Sequence, residues 1–263
     1  MPWILEQQAP KWLIRAERVC LMKVVAIVQA RMGSTRLPGK VLADICGQPM
    51  LSRVLQRTRA AQTLDEIVVA TSVETPDDVI AAFCREEGYA CFRGSEMDVL
   101  DRYYHAAREY HADAVVRITS DCPLIDPGVA DKTVYAFLEH GPDYASNSLD
   151  RTFPRGLDTE VIARAALERA WREARETYQR VHVTPYIYQN PGEFKILPVR
   201  GAKDCSGYRW TVDTMQDLEF VRAVYSRMEG GMFPLSEVLE LLEREPELAE
   251  INRSVKQKAL HEA

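Results

Sequence analysis

The segment QARMGSTRLPGKVL, residues 29–42, combines small flexible residues with cations. Its cations are Arg31, Arg36 and Lys40, and its small residues include Gly33 and Ser34. Backbone amides and hydroxyls of such a loop can form a nest for an anion whose charge the cations neutralise. Three cations favour a triphosphate over a monophosphate, although a basic surface turn without a ligand is the alternative.

The spacing in this segment differs from that of known phosphate-binding motifs. A P-loop has four residues between its glycine and a Gly-Lys pair, followed by Ser or Thr. Here five residues separate Gly33 from Gly39, and Val41 occupies the position of the hydroxyl residue. The G-x-G-x-x-G fingerprint of dinucleotide-binding proteins is also absent from the sequence.

Two single aspartates follow short apolar segments elsewhere in the chain. Asp121 follows the predicted strand that starts at Ala114, and Asp213 follows RWTV, which predicts a further short strand. Each aspartate alone could be a cap or turn residue. Magnesium takes one or two carboxylates together with phosphate oxygens and waters. Beside a triphosphate loop, Asp121 and Asp213 therefore predict a magnesium site.

Apolar runs of strand length alternate with helix-period segments over the first 120 residues. Strands are predicted at 24–28, 67–70, 91–92 and 114–118, and helices at 50–61, 75–87 (capped by Thr75) and 98–110. This alternation predicts an α/β fold with a mainly parallel sheet. Ligands bind at the carboxyl ends of such strands, where the cationic loop and Asp121 fall.

The pattern loosens after residue 141. Short strands are predicted at 143–146, 160–162 and 194–197, and helices at 164–176 and at 178–189, with a kink at Pro185. Thr214, with an acid three residues later, predicts the start of another helix. The segment from about residue 245 is charged and poorly periodic, which predicts a loose end.

Composition excludes several classes of protein. The 263 residues are 46% hydrophobic, which fits one domain with a real core, and the net charge of −6 offers no basic field for nucleic acid. Six scattered cysteines without a C-x-x-C pair indicate reduced thiols in a cytoplasmic protein. No apolar run approaches the roughly 20 residues that span a membrane.

Three segments divide the chain. Residues 1–21 are predicted to be an N-terminal extension that the core fold does not need, with Met22 as an alternative start. The alternative is a short amphipathic helix that packs on the domain or on a second subunit. Residues 22–245 are predicted to form one domain, and residues 246–263 a charged C-terminal tail.

Seven blocks resemble a known family in the order in which they occur. The blocks are AIVQARMGSTRLPGKVL, DEIVVATS, FRGSEMDVLDRYYHAA, VVRITSDCPLID, RTFPRGLDTEV, HVTPYI and RWTVDTMQDLE. They resemble the spore coat polysaccharide biosynthesis protein SpsF family, within the acylneuraminate and 3-deoxy-manno-octulosonate cytidylyltransferase superfamily. The resemblance implies a nucleotide-diphospho-sugar transferase fold, a Rossmann-like mixed sheet with helices on both faces, and a homodimer.

The resemblance also implies a reaction. The hydroxyl of a sugar acid would attack the α-phosphate of CTP, which releases pyrophosphate and forms a CMP-sugar. The loop residues Arg31, Gly33, Ser34, Arg36 and Lys40 would hold the triphosphate, and Asp121 and Asp213 would hold magnesium. The implied catalytic residues are Lys40, Arg31, Asp121 and Asp213.

Other blocks imply contacts with the nucleoside and the acceptor. Thr71 and Ser72 match the position where superfamily members contact the nucleoside, or they form a plain exit from a strand. The candidates for acceptor binding are Asp158, Glu160, Arg180 and His182, among which His182 could instead be structural or lie at a dimer interface. Asp98 and Arg102 are predicted to lie near the nucleotide or to form an i,i+4 pair.

Two other functions fit the same residues. A glycosyltransferase of this fold would use a nucleotide-sugar donor, and the SpsF group has been named that way. Such enzymes usually carry an Asp-x-Asp motif after a strand, whereas Asp121 is single. A nucleotide-binding regulatory protein without turnover is the third interpretation. In this family glutamates often flank the arginine before HVTPY, whereas this sequence has Gln179 and Val181, which leaves the acceptor open.

Overall fold

A computed structural model describes residues 22–258, so the prediction for residues 1–21 lies outside the described residues. The strands are β1 Val24–Gln29, β2 Asp44–Ile45, β3 Gln48–Pro49, β4 Glu66–Ser72, β5 Ala90–Gly94, β6 Ala114–Thr119, β7 Tyr144–Ser146, β8 Glu160–Ala163 and β9 Ile196–Pro198. The α-helices are α1 Met50–Arg59, α2 Asp78–Glu87, α3 Val99–Glu109, α4 Pro127–His140, α5 Arg164–Glu173, α6 Thr177–His182, α7 Pro185–Tyr188, α8 Met215–Tyr225, α9 Leu235–Arg244 and α10 Glu247–Glu250.

Seven of these strands form one mixed, mainly parallel sheet in the order β5-β4-β1-β6-β8-β7-β9. Strand β1 pairs in parallel with β4 on one side and with β6 on the other, and β8 is antiparallel to both of its neighbours. The chain leaves β1 towards β4 and β5 and then crosses to β6 on the opposite side. The topological switch point therefore lies between β1 and β6, where α/β proteins bind ligands.

Helices cover both faces of the sheet, as predicted. Alternate residues of β1 supply the two cores: Ala26 and Val28 pack with α1, α2 and α4, whereas Val25 and Ile27 pack with α3, α5 and α7. All four side chains are fully buried. A strand that is apolar at every position is therefore required here, because both of its faces are covered.

A third apolar cluster lies beside the sheet. Helices α8 and α9 pack in it against the two-stranded ribbon β2–β3, around the fully buried Trp210 and Val212. Leu248 of α10 is also buried there, at 3% exposure. The prediction of a loose end is therefore wrong for the segment around α10, because its apolar residues complete this cluster.

Three local predictions differ from the structure. Helix α2 starts after a 3₁₀ turn at Thr75–Asp77 and not at a Thr75 cap. The predicted helix at 178–189 is two short helices, which break at Val183, and Pro185 begins the second. Residues 209–212 do not form a strand, and only Arg209 makes a bridge, to Arg155. No helix of the described part is both long and apolar enough to cross a membrane.

Candidate active site

One lysine joins the two aspartates that the sequence predicts as metal ligands. The Nζ atom of Lys40 lies 2.9 Å from Asp121 Oδ2 and 2.9 Å from Asp213 Oδ1, and it also donates to the carbonyl of Val212 at 2.7 Å. The three side chains are only 13–25% exposed. Residues from three distant parts of the chain therefore meet at one point beyond the carboxyl end of β6.

The backbone fixes where these side chains lie. Gly39 adopts a left-handed conformation with φ 70°, and this bend starts the 3₁₀ turn Lys40–Leu42 that carries Lys40. The carbonyl of Asp121 accepts hydrogen bonds from Val212 N (2.8 Å) and Thr211 Oγ1 (3.2 Å). These two bonds hold the segment before Asp213 against the end of β6.

Gly156 packs directly against the same segment. Its φ is 108°, and a Cβ atom there would lie 2.6 Å from both Thr211 N and the carbonyl carbon of Trp210. Backbone conformations of this kind are open to glycine and strained for other residues. The Arg-Gly-Leu-Asp motif therefore contributes a close backbone approach that positions Asp213.

Arginines surround Asp213 on the side away from Lys40. Its Oδ2 atom lies 3.0 Å from Arg36 Nη2 and 2.8 Å from Arg209 Nη2. Arg209 also binds Asp217, which is fully buried and accepts hydrogen bonds from the amides of Asp213 and Thr214 at 2.9 Å. Two of the three predicted phosphate-binding cations, Arg36 and Lys40, are thus paired with aspartate in this structure.

These contacts shift the titration of the site. Burial alone would raise the pKa of Asp121, but the charge of Lys40 and hydrogen bonds from Thr119, Lys40 and Cys122 lower it to about 2. For Lys40, burial disfavours the ammonium, and the two aspartates outweigh this effect and raise its pKa. Both groups are therefore charged at neutral pH.

Arg209, Asp217 and Asn252 support the site, and sequence reasoning missed them as functional residues. Asn252 Nδ2 donates to the Arg209 carbonyl at 2.8 Å and to Asp217 Oδ1 at 2.9 Å. Asp217 was predicted only as the acid three residues after the Thr214 cap, and it does form a capping box with Thr214. The only signal in the sequence was the acid at position 217, three residues after Thr214.

The first part of the cationic loop lies nearer to β4. Arg31 and Gly33 are exposed and Ser34 is half-buried. The buried carboxylate of Asp77 accepts from Met32 N at 2.7 Å and from Ser72 N at 3.2 Å, so it ties this loop to the end of β4. Asp77 is a further residue that sequence reasoning missed.

The two residues predicted to contact the nucleoside are fully buried at this edge. Ser72 Oγ donates to Asp77, whereas Thr71 Oγ1 is buried and has no hydrogen-bond partner among the described residues. Nearby, Arg102 is 1% exposed and donates to the carbonyl of Ser95. The predicted i,i+4 pair of Asp98 with Arg102 does not form, because Asp98 pairs with Arg180 instead.

The predicted acceptor-binding residues Asp158, Glu160 and Arg180 form ion pairs with arginines or aspartates other than those of the Lys40 cluster. Asp158 forms a two-pronged ion pair with Arg151, and Arg180 binds Asp98 and the carbonyl of Trp171. Glu160 is buried at 6% exposure and binds Arg117 of β6. His182 is the last residue of α6 and is half-buried.

The two carboxylates that meet at Lys40 are ligands of the type that binds magnesium. Within residues 22–258, no group of three or more His, Cys, Asp or Glu side chains could hold a metal. Asp121 Oδ2 and Asp213 Oδ1 nevertheless converge on one cationic atom. Two carboxylates with a ligand's phosphate oxygens are the set that magnesium uses.

Residues 25–260 match the model of a family described as cytidylyltransferase. The chain is 33% identical over 234 residues to the spore coat polysaccharide biosynthesis protein SpsF of Bacillus subtilis (strain 168), covering 86% of this chain and 96% of that protein. It is 38% identical over 118 residues to the 3-deoxy-manno-octulosonate cytidylyltransferase of Trichlorobacter lovleyi, covering 44% of this chain and 46% of that protein.

Among solved structures, the chain is similar to a cytidylyltransferase from Leptospira borgpetersenii serovar Hardjo-bovis. The TM-score is 0.84 at 34% identity, and the match covers 90% of this chain and all of that one. The predicted fold class is confirmed: a mainly parallel seven-stranded sheet, flanked by helices, of the nucleotide-sugar transferase type.

Proposed function

Because the chain belongs to the cytidylyltransferase family and is a nucleotidyltransferase, we propose that it transfers CMP from CTP to a sugar acid and releases pyrophosphate. The observation that carries the proposal is the meeting of Lys40 with Asp121 and Asp213 at the switch point of the sheet. The names of the relatives, a polysaccharide biosynthesis protein and an octulosonate cytidylyltransferase, support a role in making surface polysaccharide or glycoconjugate.

In the proposed reaction, a hydroxyl oxygen of the acceptor forms a bond to the α-phosphorus of CTP, and the hydroxyl proton is released to water. The bond from that phosphorus to the oxygen that bridges to the β-phosphorus breaks, and pyrophosphate leaves with the electron pair. Such a transfer depends mainly on positioning and on neutralisation of developing charge. The site offers charged groups for both tasks.

The loop residues would divide these tasks. The exposed Arg31, with the backbone of Gly33 and Ser34, is open to the triphosphate. Arg36 and Lys40 would exchange their aspartate partners for phosphate oxygens, and Lys40 would then stabilise the leaving pyrophosphate. Thr71 and Ser72, at the end of β4, would lie beside the nucleoside, where the buried Thr71 hydroxyl lacks a partner among the described residues.

Asp121 and Asp213 would hold magnesium, which supplies positive charge to the phosphates and polarises the α-phosphate. Asp121 suits this role because its low pKa keeps it ionised. Asp213 would keep Arg209 as its partner on the other oxygen. A homodimer and a cytoplasmic location, both expected from the sequence, remain predictions that accompany this function.

The proposal is tested by the release of pyrophosphate. The protein is incubated with magnesium, with CTP, UTP, ATP or GTP in turn, and with a panel of octulosonic and nonulosonic acids. We expect release with CTP only, and only when one of the acids is present. Release that needs no acid, or transfer from a nucleotide-sugar without it, would show a different reaction.

A further inference from the structure

We propose that Arg117 binds the carboxylate of the acceptor, and that Glu160 and the turn at His182–Thr184 hold Arg117 in position. The inference rests on the proposed function, because it names the part of the site that would select a sugar acid. In this inference Glu160 holds Arg117 in position, whereas the sequence predicts that Glu160 itself contacts the sugar.

Arg117 lies at the same edge of the sheet as Asp121. It is two residues before the end of β6, about 7 Å along the strand from Thr119. Its register partner is Glu160, the first residue of the antiparallel strand β8, so both lie near the carboxyl end of β6. Arg117 also pairs in register with Ile27 of β1, which places it beside the switch point.

Glu160 is already bound by three side chains of the protein. Its carboxylate accepts hydrogen bonds from Arg117 Nη1, from the hydroxyl of Tyr144 and from Thr184 Oγ1 at 2.7 Å. These donors come from β6, β7 and the segment between α6 and α7. A buried carboxylate with three donors is a fixed anchor, and its charge, which outweighs burial, raises the pKa of Arg117 and keeps it cationic.

Arg117 itself is only partly satisfied. Its Nε atom is buried and has no hydrogen-bond partner among the described residues, while Nη1 is held by Glu160. Gln29 Oε1 on β1 is also buried and has no hydrogen-bond partner among the described residues. Gln29 lies two positions beyond Ile27, which pairs in register with Arg117. Buried polar groups normally find partners, so two orphaned atoms on adjacent strands point to a bound ligand.

The free edge of this guanidinium suits a carboxylate. Arginine presents planar pairs of N–H groups that match the two oxygens of a carboxylate, and its charge does not depend on pH. With one terminal nitrogen bound to Glu160, the edge that carries Nε remains for a ligand. In a 2-keto sugar acid the attacking hydroxyl is on the carbon next to the carboxylate, so a residue that binds the carboxylate would also position that hydroxyl.

Strained backbone holds the far side of this cluster. Val183 has φ 73° and ψ −55°, and Thr184 N donates to the His182 carbonyl at 2.9 Å, which together define a γ-turn of the strained type. A β-branched residue at positive φ is a rare outlier that is typically found at functional sites. The turn aims Thr184 at Glu160 and so completes the anchor for Arg117.

The test compares acids with their neutral esters. The probes are 3-deoxy-manno-octulosonate and N-acetylneuraminate, each with its methyl ester, and binding is measured by calorimetry with α,β-methylene-CTP present to prevent turnover. We expect the wild-type protein to bind at least one acid about 10-fold or more tightly than its ester. In Arg117→Met this preference disappears, while the affinity for α,β-methylene-CTP is unchanged.

Two further variants keep the test decisive. Arg117→Lys retains the charge and loses the planar pair of donors, so we expect an intermediate preference even if Arg117→Met fails to fold. Arg172→Met removes an arginine that is 65% exposed on α5 and should bind like the wild type. Glu160→Gln should weaken binding of the acid and leave binding of the ester and of the CTP analogue unchanged.

The outcomes separate this inference from the proposed function. Unchanged acid preference in both Arg117 variants would overturn the inference while transfer of CMP to the acid stands. The inference would also be overturned if the wild-type protein bound neither acid better than its ester. In that case, pyrophosphate release with a neutral acceptor would show that the acceptor is not a sugar acid. Acid binding that depends on Arg117, without pyrophosphate release, would support the site and refute the reaction.

Discussion

At the scale of single residues, a few side chains carry the charge of the site. Lys40 is the shared partner of Asp121 and Asp213, so the three side chains set one another's position. The aspartates and the lysine have different tasks in the proposed reaction. We therefore expect changes of the aspartates to affect mainly catalysis, and a change of the lysine to affect both turnover and stability.

The aspartates should be the more sensitive positions for catalysis. We expect Asp121→Asn and Asp213→Asn each to lower the rate of pyrophosphate release on the order of 100-fold or more, since each removes a charge from the proposed metal site. Asp204→Asn, which changes an exposed aspartate outside the site, is the matched control. A near-normal rate in either site variant would remove the assignment of magnesium to these residues.

Lys40→Met should slow turnover and also destabilise the fold. Two carboxylates would lose their shared partner, which should lower the free energy of unfolding by about 1–3 kcal/mol at pH 7. The folded pKa of Asp121 lies below its ordinary value of 3.8, so this stabilisation is complete above about pH 4 and is lost as the pH falls towards about 2.

Urea titrations at pH 7, 4 and 3 measure this dependence. The difference between wild type and Lys40→Met should be largest at pH 7 and smallest at pH 3. Lys203→Met, which removes a lysine that is 72% exposed, should differ little from wild type at any of these values. A difference for Lys40→Met that stays constant down to pH 3 would contradict the charge pairing.

Sequence reasoning selected the central residues because Asp121 and Asp213 follow short predicted strands and Lys40 lies in the cationic loop after β1. Lys40, Asp121 and Asp213 could be found in this way. The partners of Asp158 and Glu160 could not, since Arg151 lies in a loop and Arg117 reads as one polar residue within an apolar strand. A pairing across strands depends on register, which the sequence alone does not determine.

At the scale of elements, the irregular segment at residues 209–214 matters more than any helix. The sequence predicted a short strand there because RWTV is followed by an aspartate and a capped helix, as after β6. The segment is instead held by two bonds to Asp121 and by close contact with Gly156. In the sequence, only Gly156 indicates this close backbone contact.

Gly156→Ala should therefore disturb the site from a distance. The new Cβ would collide with the backbone of Trp210 and Thr211 and would occupy a strained conformation, so we expect lower thermal stability together with a loss of pyrophosphate release of about 10-fold or more. Gly207→Ala, in the loop before this segment and with open space around it, should match the wild type in both assays. Equal behaviour of the two variants would refute this role.

The regular elements were easier to predict. Strands β1, β4 and β6 and helices α1 and α3 agree with their predicted ranges within about two residues. Their periodicity is strong because each packs against a continuous core. The helix at 178–189 was predicted as one element because its break is a strained turn at Val183, and no glycine marks this turn.

At the scale of the whole molecule, the end of the described chain returns to the site. Asn252 is 3% exposed and holds Arg209 and Asp217, which in turn hold Asp213. The segment reads as charged and aperiodic because only Leu248 and a few other residues face the core. Its position depends on the hydrogen bonds of Asn252 together with the burial of Leu248. Such contacts leave no periodic pattern in the sequence.

Asn252→Ala should lower both stability and activity. Loss of two hydrogen bonds from a buried amide should lower the free energy of unfolding by about 1–3 kcal/mol, and freer movement of Arg209 should reduce pyrophosphate release. Arg253→Ala changes the next residue, which is 76% exposed, and should leave both properties near wild type. A stable and fully active Asn252→Ala protein would show that the tail is not coupled to the site.

If the proposed function holds, the shared lysine affects the form in which the nucleotide would arrive. Lys40, Arg36 and Arg209 face Asp121, Asp213 and Asp217, so the three cations and three anions of the resting cluster cancel. An electroneutral cluster has little surplus charge to offer a bare triphosphate, whose own charge is near −4. Under the proposed function we therefore expect the nucleotide to enter with its counterion attached: its phosphates would take over the lysine, and its cation would pass to the aspartates in an exchange of ion pairs.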